Sequence, residues 1–307
     1  MQITIREAIT ENDVARFWAQ LRLYYRRDIF PPTDSAGLAH FFDPAYEAHM
    51  KKIHARPRDR CRFLFFVRNG QDIGFALPVL FDSEDGKCFL MEFCVYPEHR
   101  GGGTGRACAA ALLDWAKRSG ARYAELNFGG DDRRQRFWKS VGFVDNGVDA
   151  WGAPLMLLPP TEEVPITVER LADPEDWQLK KLENGFLSEI GEAPATEERQ
   201  ARLIRAIRDG RITFFLAKRG YRAVGMCSVA TCFSTFACAD TGVWDDFYIE
   251  PAFRKRGITR LLAQAAQRWA QEAGLSGLTA TCAPCDEGMY RALGFDTCLG
   301  TTFTHPL

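Results

Sequence analysis

No run of apolar residues in this 307-residue chain approaches the roughly 20 that a membrane span requires. The sequence also lacks a charge excess: 39 Lys and Arg stand against 40 Asp and Glu, a formal net charge of −1. Without a broad basic field, nucleic acid is not an expected partner. The N-terminus, Met1-Gln2-Ile3-Thr4-Ile5-Arg6-Glu7, alternates like a strand and has no signal-peptide apolar core. Histidine is scarce, five in all, and His40, His49 and His54 do not have the His-Glu-x-x-His spacing of a zinc site. Cys282-Ala283-Pro284-Cys285 is one CxxC pair with no second ligand pair at convincing spacing. The expectation is a cytoplasmic chain with no membrane, nucleic-acid or metal partner.

What the sequence does have is the composition of an ordinary globular protein, 46% hydrophobic and 26% charged, enough apolar residues for real cores. At roughly 150 residues per domain, the length suits two domains. The ten cysteines mostly fall in apolar strand or helix contexts, such as Cys94, Cys108 and Cys227. There they are expected as reduced thiols acting as small hydrophobes.

An internal repeat supports the two-domain reading. Ile3-Thr4-Ile5-Arg6 and Ile166-Thr167-Val168-Glu169 each open a strand that leads to a turn and a helix start. Residues 62–74 match 211–225 as strand, tight turn, strand. Pro97, Gly103, Trp115 and Gly120 then match Pro251, Gly257, Trp269 and Gly274 at one constant offset. Between them lies the same helical face, Cys108, Ala111, Leu112 and Trp115 in one copy and Leu262, Ala265, Ala266 and Trp269 in the other. Gly120 and Gly274 stand where a helix C-cap belongs. Val141-Gly142-Phe143 matches Leu293-Gly294-Phe295. The reading is two copies of one domain, residues 1–159 and 166–307, joined by an extended connector over 160–165 that is rich in proline and acid. Each copy reads as strand, one or two helices, antiparallel strands, a central loop, helix, strand, helix, strand: a mixed α/β layer.

The central loop is the chemical signal. An apolar strand, Phe89 to Val95, runs into Arg100-Gly101-Gly102-Gly103-Thr104-Gly105-Arg106, and an amphipathic helix follows. Glycines let successive backbone N–H groups turn inward, and a helix N-terminus adds unpaired N–H groups and partial positive charge. The guest expected there is a phosphate or pyrophosphate.

With Val95-x-Pro97-x-x-Arg100-x-x-Gly103-x-Gly105 followed by Trp138 to Phe143, the first half resembles the GNAT-superfamily N-acetyltransferases. So does the second, through Ile249-x-Pro251-x-x-Arg254-x-x-Gly257-x-Thr259 and Tyr290 to Phe295. The resemblance implies acetyl-CoA as donor and usually a primary amine as acceptor, joined by direct attack in a ternary complex. It implies cofactor contacts at Val95, the Arg100–Arg106 loop and Asn127, and in the second half at Ile249, Arg254, Lys255, Arg256, Gly257, Ile258 and Thr259. Asn127 reads equally as a pantetheine contact or a turn residue.

Three chemical needs follow from that reaction. The ammonium must lose a proton, and Glu92 or Asp246, each five residues before its Pro, is the carboxylate placed for it, with Asp245 able to share the task. Each also reads as an ordinary exposed or paired carboxylate. The oxyanion needs a donor, which the resemblance implies on a splayed strand near Val95 or Ile249. The leaving thiolate is helped by a phenol. The family's tyrosine place holds Tyr290 in the second half, which also reads as a packing aromatic, and Trp138 in the first, which has no titratable hydroxyl. On that ground the sequence favours catalysis in the second half. The acceptor wall is expected from Tyr24 to Asp43 and from Phe186 to Glu192. The alternatives are a non-catalytic acyl-CoA sensor or scaffold, motivated by Trp138 and Thr259, and an active first half with a small-molecule or protein amine. A homodimer is compatible with the sequence.

Overall fold

A computed structural model describes residues 2–30, 35–149, 153–160 and 164–300. The chain forms two compact units, residues 1–145 with 155–161, and residues 146–154 with 162–307. Residues 161–163 of the expected connector lie outside the described residues, as do 31–34 of the expected acceptor wall. Among the described residues no helix is long and apolar enough to cross a membrane.

The first unit opens with β1 (Thr4–Glu7) and α1 (Glu11–Tyr24), which Thr10 caps by accepting from the Asp13 amide at 3.1 Å. A single π-helical turn, Tyr25–Ile29, extends α1. Then come α2 (Ser35–Phe42), α3 (Pro44–His54), β2 (Arg60–Cys61), β3 (Leu64–Arg68), β4 (Gln71–Leu80) and β5 (Lys87–Val95). The glycine loop leads into α4 (Thr104–Arg118), β6 (Tyr123–Asn127), α5 (Asp132–Val141) and β8 (Pro154–Leu158), with β7 (Val144–Val148) between the last two falling from residue 146 on in the second unit. The strands run in the order β1-β3-β4-β5-β6-β8, with β2 on β4. Only the β5–β6 pair is parallel along that path.

Two apolar layers sandwich this sheet. On one face Cys108, Ala109, Leu112 and Ala116 of α4 pack on Leu64, Phe66, Leu90 and Leu126. On the other, Phe17, Trp18 and Leu21 of α1 pack on Phe63, Phe65, Phe75 and Cys94. Each wholly buried side chain of this size contributes about 1.5–3 kcal/mol. The alternation of strand residues between the two faces explains why β3 and β4 read as continuous apolar runs.

The second unit repeats the plan with β9 (Ile166–Arg170), α6 (Trp177–Glu189), α7 (Glu197–Arg208), β10 (Ile212–Arg219), β11 (Arg222–Ser234) and β12 (Ala239–Ile249). It continues with α8 (Ile258–Glu272), β13 (Leu278–Ala280) and a six-residue α9 (Glu287–Ala292). Its sheet order is β13-β12-β11-β10-β9. Gly120 and Gly274 end α4 and α8 at φ +98° and +72°, the left-handed geometry of a helix stop. The repeat pattern predicts a closing strand after the last helix of each half. The first half has it in β8, whereas among the described residues no strand follows β13.

Half of the ten cysteines, rather than most, are interior. Cys61, Cys88, Cys94, Cys108 and Cys227 are buried, and Cys232, Cys238, Cys282, Cys285 and Cys298 are exposed on the hairpin and tail of the second unit.

Candidate functional site

The site begins with a defect in strand pairing. Along β4 and β5, Leu77 lies opposite Glu92 but Pro78 lies opposite Leu90, so Met91 is an extra residue on β5. Proline has no N–H to lose at this irregular point. Such a bulge bends its strand and increases the local twist. On its other side β5 pairs with β6 only from Lys87 to Leu90. Beyond Leu90 the two parallel strands have no registered partners and leave a wedge. Gly74 lets β4 stay close to β5 past the bulge: a Cβ there would lie 2.2 Å from the Cys94 carbonyl oxygen.

The loop after β5 closes one end of the wedge. Gly101, Gly102 and Gly103 have φ of +94°, +52° and +82°, and a Cβ at any of them would meet no atom within 4 Å. They form an open concave turn that three successive L-residues would resist. Gly103 is the N-cap of α4 and no side chain caps the helix; the Thr104 N–H donates to the Gly101 carbonyl at 3.0 Å, which leaves the next N–H groups, of Gly105 and Arg106, at the open end of the helix. Thr104 is buried. At Gly105 a Cβ would approach the Phe137 ring to 3.1 Å, which ties α4 closely to α5.

Arg100 points back along the chain. Its Nε donates to the Val95 carbonyl at 2.8 Å, and its Nη atoms donate to Asp28 at 3.2 and 2.6 Å. It clasps the loop to the end of β5 and to the π-turn. Burial works against the Asp28 charge, but hydrogen bonds from Arg100 and Arg27 outweigh it and hold the carboxyl below its usual range. Arg106 is exposed, with Nε donating to Ser140 Oγ at 3.2 Å. Asn127 ends β6 and accepts from the Gly129 amide at 2.7 Å, an Asx-type turn.

Glu92 sits at the mouth of the wedge. The Tyr25 hydroxyl donates to its Oε1 at 2.8 Å. Burial pushes the Glu92 carboxyl up to about 7, against the Tyr25 hydrogen bond and the positive charge of Arg134. Burial and the Glu92 charge drive the Tyr25 phenol far above its ordinary value, so it remains a donor. Arg134, near the start of α5, donates to the Asp28 carbonyl at 2.8 Å. The sequence alone does not place Tyr25 or Arg134 beside Glu92. The tyrosine pair Tyr24-Tyr25 is a visible signal, but nothing local ties it to that carboxyl.

A cavity of about 970 Å³ fills the wedge. Glu92, Val95, Arg100, Gly101, Gly103, Gly105, Arg106 and Asn127, all expected from the sequence, line it together. So do Tyr24, Asp28, Ile29 and Phe41 of the expected acceptor wall. Trp138 is 7% exposed and packs edge-on against Phe93, Phe137 and Phe143 at 5.1, 4.9 and 5.1 Å. It is a core residue whose edge reaches the cavity.

The second unit has the same wedge in outline. β12 pairs with β13 only from Gly242 to Trp244, and its register on β11 slips between Met226 and Ser228. Asp246 lies in that irregular stretch with φ +46°, accepting from Ser228 Oγ at 3.0 Å. Burial and then the charge of Asp245 raise its pKa. Glu183 on α6 is pushed up to about 8 by burial and by Asp246 and Asp245. Arg254 donates to the Ile249 carbonyl at 3.0 Å and pairs with Glu189, the counterpart of the Arg100 clasp. Here Lys255 takes the left-handed conformation at φ +62°, before Gly257 at +78°. Lys255 and Arg256 are exposed, Ile258 is buried, and Thr259 stands half-buried in the first turn of α8. Tyr290 is half-buried on α9, its ring 5.7 Å from Trp244 and 5.8 Å from Phe295. Burial, with nearby Cys282 and acids, raises its phenol pKa.

Comparison with known proteins agrees with this double plan. The family model described as Acetyltransferase (GNAT) family matches residues 23–143 and again 177–295. A search of curated proteins gives no significant match. Among solved structures, the chain is similar to an aminoglycoside acetyltransferase from an uncultured soil metagenomic sample in complex with sisomicin. That likeness has 14% identity over 46% of this chain and 95% of the other, with a TM-score of 0.42. A predicted acetyltransferase with acetyl-CoA from Clostridium acetobutylicum matches at 14% identity over 46% and 96%, TM-score 0.40. Glucosamine-6-phosphate N-acetyltransferase from Arabidopsis thaliana matches at 13% over 46% and 98%, TM-score 0.39. Matched twice by one family model over most of its length, the chain belongs to the GNAT acetyltransferase family.

Proposed function

We propose that this protein transfers an acetyl group from acetyl-CoA to a primary amine, and that the first unit is the one that reacts. The observation that carries this is the position of Glu92. A carboxyl held near neutrality by burial stands in the same cavity as an open glycine cradle. Acetyl-CoA, when bound, brings a thioester acyl group and a pyrophosphate. The residues present fit it: the turn at Gly101 to Gly103 is open and unobstructed, and the uncapped start of α4 offers N–H groups to an anion. Arg106 adds an exposed positive charge beside that turn, while Arg100 fixes the turn's position.

Glu92 takes the proton from the acceptor ammonium, because only the neutral amine is a nucleophile. Its pKa near 7 leaves a useful fraction ionised at neutral pH while keeping it basic enough to accept a proton. Tyr25 holds the accepting oxygen in place. The edge of β5 beyond Leu90, free of β6, supplies backbone N–H groups toward the carbonyl under attack. Trp138 has no titratable hydroxyl with which to return a proton to the thiolate.

A second reading keeps catalysis in the second unit, with Asp246 as base and Tyr290 as acid; the retained phenol favours it. Domain limits of 1–159 and 166–307 and a cytoplasmic location belong to the same proposal. The deciding experiment is CoA-thiol release over an amine panel with Glu92→Gln, Asp246→Asn and Tyr290→Phe. Loss confined to Glu92→Gln supports the first unit; loss in Asp246→Asn and Tyr290→Phe moves the reaction to the second. Acetyl-CoA binding without transfer to any amine would make the protein an acyl-CoA sensor.

A further inference from the structure

Asp28 is gripped from both rims of the wedge. Arg100, from the loop after β5, holds its carboxylate at 2.6 Å. Arg134, from the first turn of α5 on the β6 side, donates to its backbone carbonyl at 2.8 Å. α1 and the π-turn run on without a break from Glu11 to Ile29, so this carbonyl is one of the last, which a helix leaves without a partner of its own. A cation placed there also meets the negative end of the helix dipole. On its other side the Arg134 guanidinium lies against the turn at Gly129, where a Cβ would come within 3.3 Å of Nη1. The Arg134 backbone N–H is fixed by the Asp131 cap at 2.8 Å. The side chain thus reaches from the β6 rim to the π-turn across the cavity it lines.

Tyr25 belongs to the same turn, which closes through the Phe30 N–H on the Tyr25 carbonyl at 2.9 Å. Its hydroxyl holds Glu92. Whatever fixes Asp28 therefore fixes the phenol on the base. Tyr24, Tyr25 and Tyr46, which face Glu92, are phenols that burial, aided by the Glu92 charge, keeps protonated. Arg134 is the charged group facing it, and its field opposes the protonation that burial favours. Resting on the first-unit reading above, we infer that Arg134 is a positioning residue for acetyl transfer: by tying the β6 rim to the π-turn it holds Tyr25 on Glu92 and keeps that carboxylate ready for the ammonium proton. A guanidinium gives up no proton near neutral pH, so its part is placement and field.

The full chain, with glutamate labelled at its carboxyl carbon, would be titrated by NMR, the Glu92 resonance being identified by its loss in Glu92→Gln. Thiol release from acetyl-CoA would be followed against pH with 2-phenylethylamine, spermidine and glucosamine as probe amines. Arg134→Gln should move the Glu92 midpoint and the acid limb of kcat/KM upward together, by roughly half a unit to one unit. It should also lower kcat several-fold on the alkaline plateau. Arg134→Lys, which keeps the charge, should return the limb close to its wild-type place. Arg133→Gln, which removes an exposed charge from the same cavity wall, should leave midpoint and limb where they are. Arg134→Ala repeats the test where the glutamine variant loses its wild-type circular dichroism. An unmoved midpoint in a folded Arg134 variant overturns the inference, as does an equal shift in Arg133→Gln. Undiminished thiol release in Glu92→Gln overturns the first-unit reading and the role of Arg134 with it, whereas an unmoved midpoint beside an inactive Glu92→Gln overturns this inference alone.

Discussion

The two glycine loops start from the same proline turn and the same arginine clasp, yet their surroundings diverge. The first loop has three glycines in the left-handed region and opens onto a cavity whose far side is closed by β6, α5 and, beyond β6, β8. The second loop puts a lysine, Lys255, in the left-handed region where the first has Gly101, and no described strand follows β13. The bases do not separate the units, since burial raises the pKa of both Glu92 and Asp246. In the first unit one cavity holds the carboxylate and the cradle together, and on the proposed reading that shared wall is what makes a site.

The sharpest test of that contrast is a matched pair of substitutions. Glu92→Gln should lower kcat about 10²-fold or more, the usual worth of a positioned base. Asp246→Asn should leave kcat within about threefold, as expected for a carboxylate outside the reacting site. Steady-state kinetics on both decides it, and the reverse outcome breaks the comparison. Wild-type kcat/KM should fall with unit slope as pH drops below about 7, because protonated Glu92 cannot accept a proton.

The same residue should show a stability effect of opposite sign. The folded pKa of about 7 lies above the ordinary value of 4.5, so the fold favours the protonated carboxyl. Stability from this group is full below about pH 4.5 and declines as pH rises toward 7. Glu92→Gln should therefore stabilise the protein at pH 8 by roughly 1–3 kcal/mol and have little effect at pH 4. Urea unfolding at the two pH values measures this.

The loops can be compared directly through Lys255. Replacing it with glycine relieves the left-handed strain and should stabilise the second unit by about 1 kcal/mol. Thermal unfolding would register the gain, while Gly101→Lys, its counterpart in the first loop, should lose stability and acetyl-CoA affinity together. The smallest effect expected is that of Tyr25→Phe. Its hydrogen bond lowers the Glu92 pKa, so removal should move the acid limb of the pH–rate profile upward by about half a unit. An unmoved limb would mean that Tyr25 does not hold the base.

The duplication, the mixed sheet and the loop were legible because they rest on local chemistry. Gly120, Gly257 and Gly274 announce left-handed positions by residue type alone. What a sequence reading could not reach were meetings made by tertiary packing. Tyr25 and Glu92 are 67 residues apart, brought together by a π-turn and a bulge that leave no periodic trace. Arg100 read as a flank of the phosphate turn, but its guanidinium is spent on Val95 and Asp28. The expected closing strand of the second half has no counterpart among the described residues, and 301–307 lie outside them. Residues 293–300 lack an alternating apolar pattern long enough to specify a strand, and they run irregularly after α9.

The bulge at Met91 has a consequence for how such a protein diversifies. Because β5 and β6 part beyond Leu90, the proposed donor and acceptor surfaces of the first unit belong to different segments of chain. The glycine turn and α4 can stay fixed while the stretch from Tyr24 to Phe41 is rewritten. On the proposed first-unit reading, a new amine preference would then come from exchanging one short stretch near the N-terminus while the glycine turn and α4 stay unchanged.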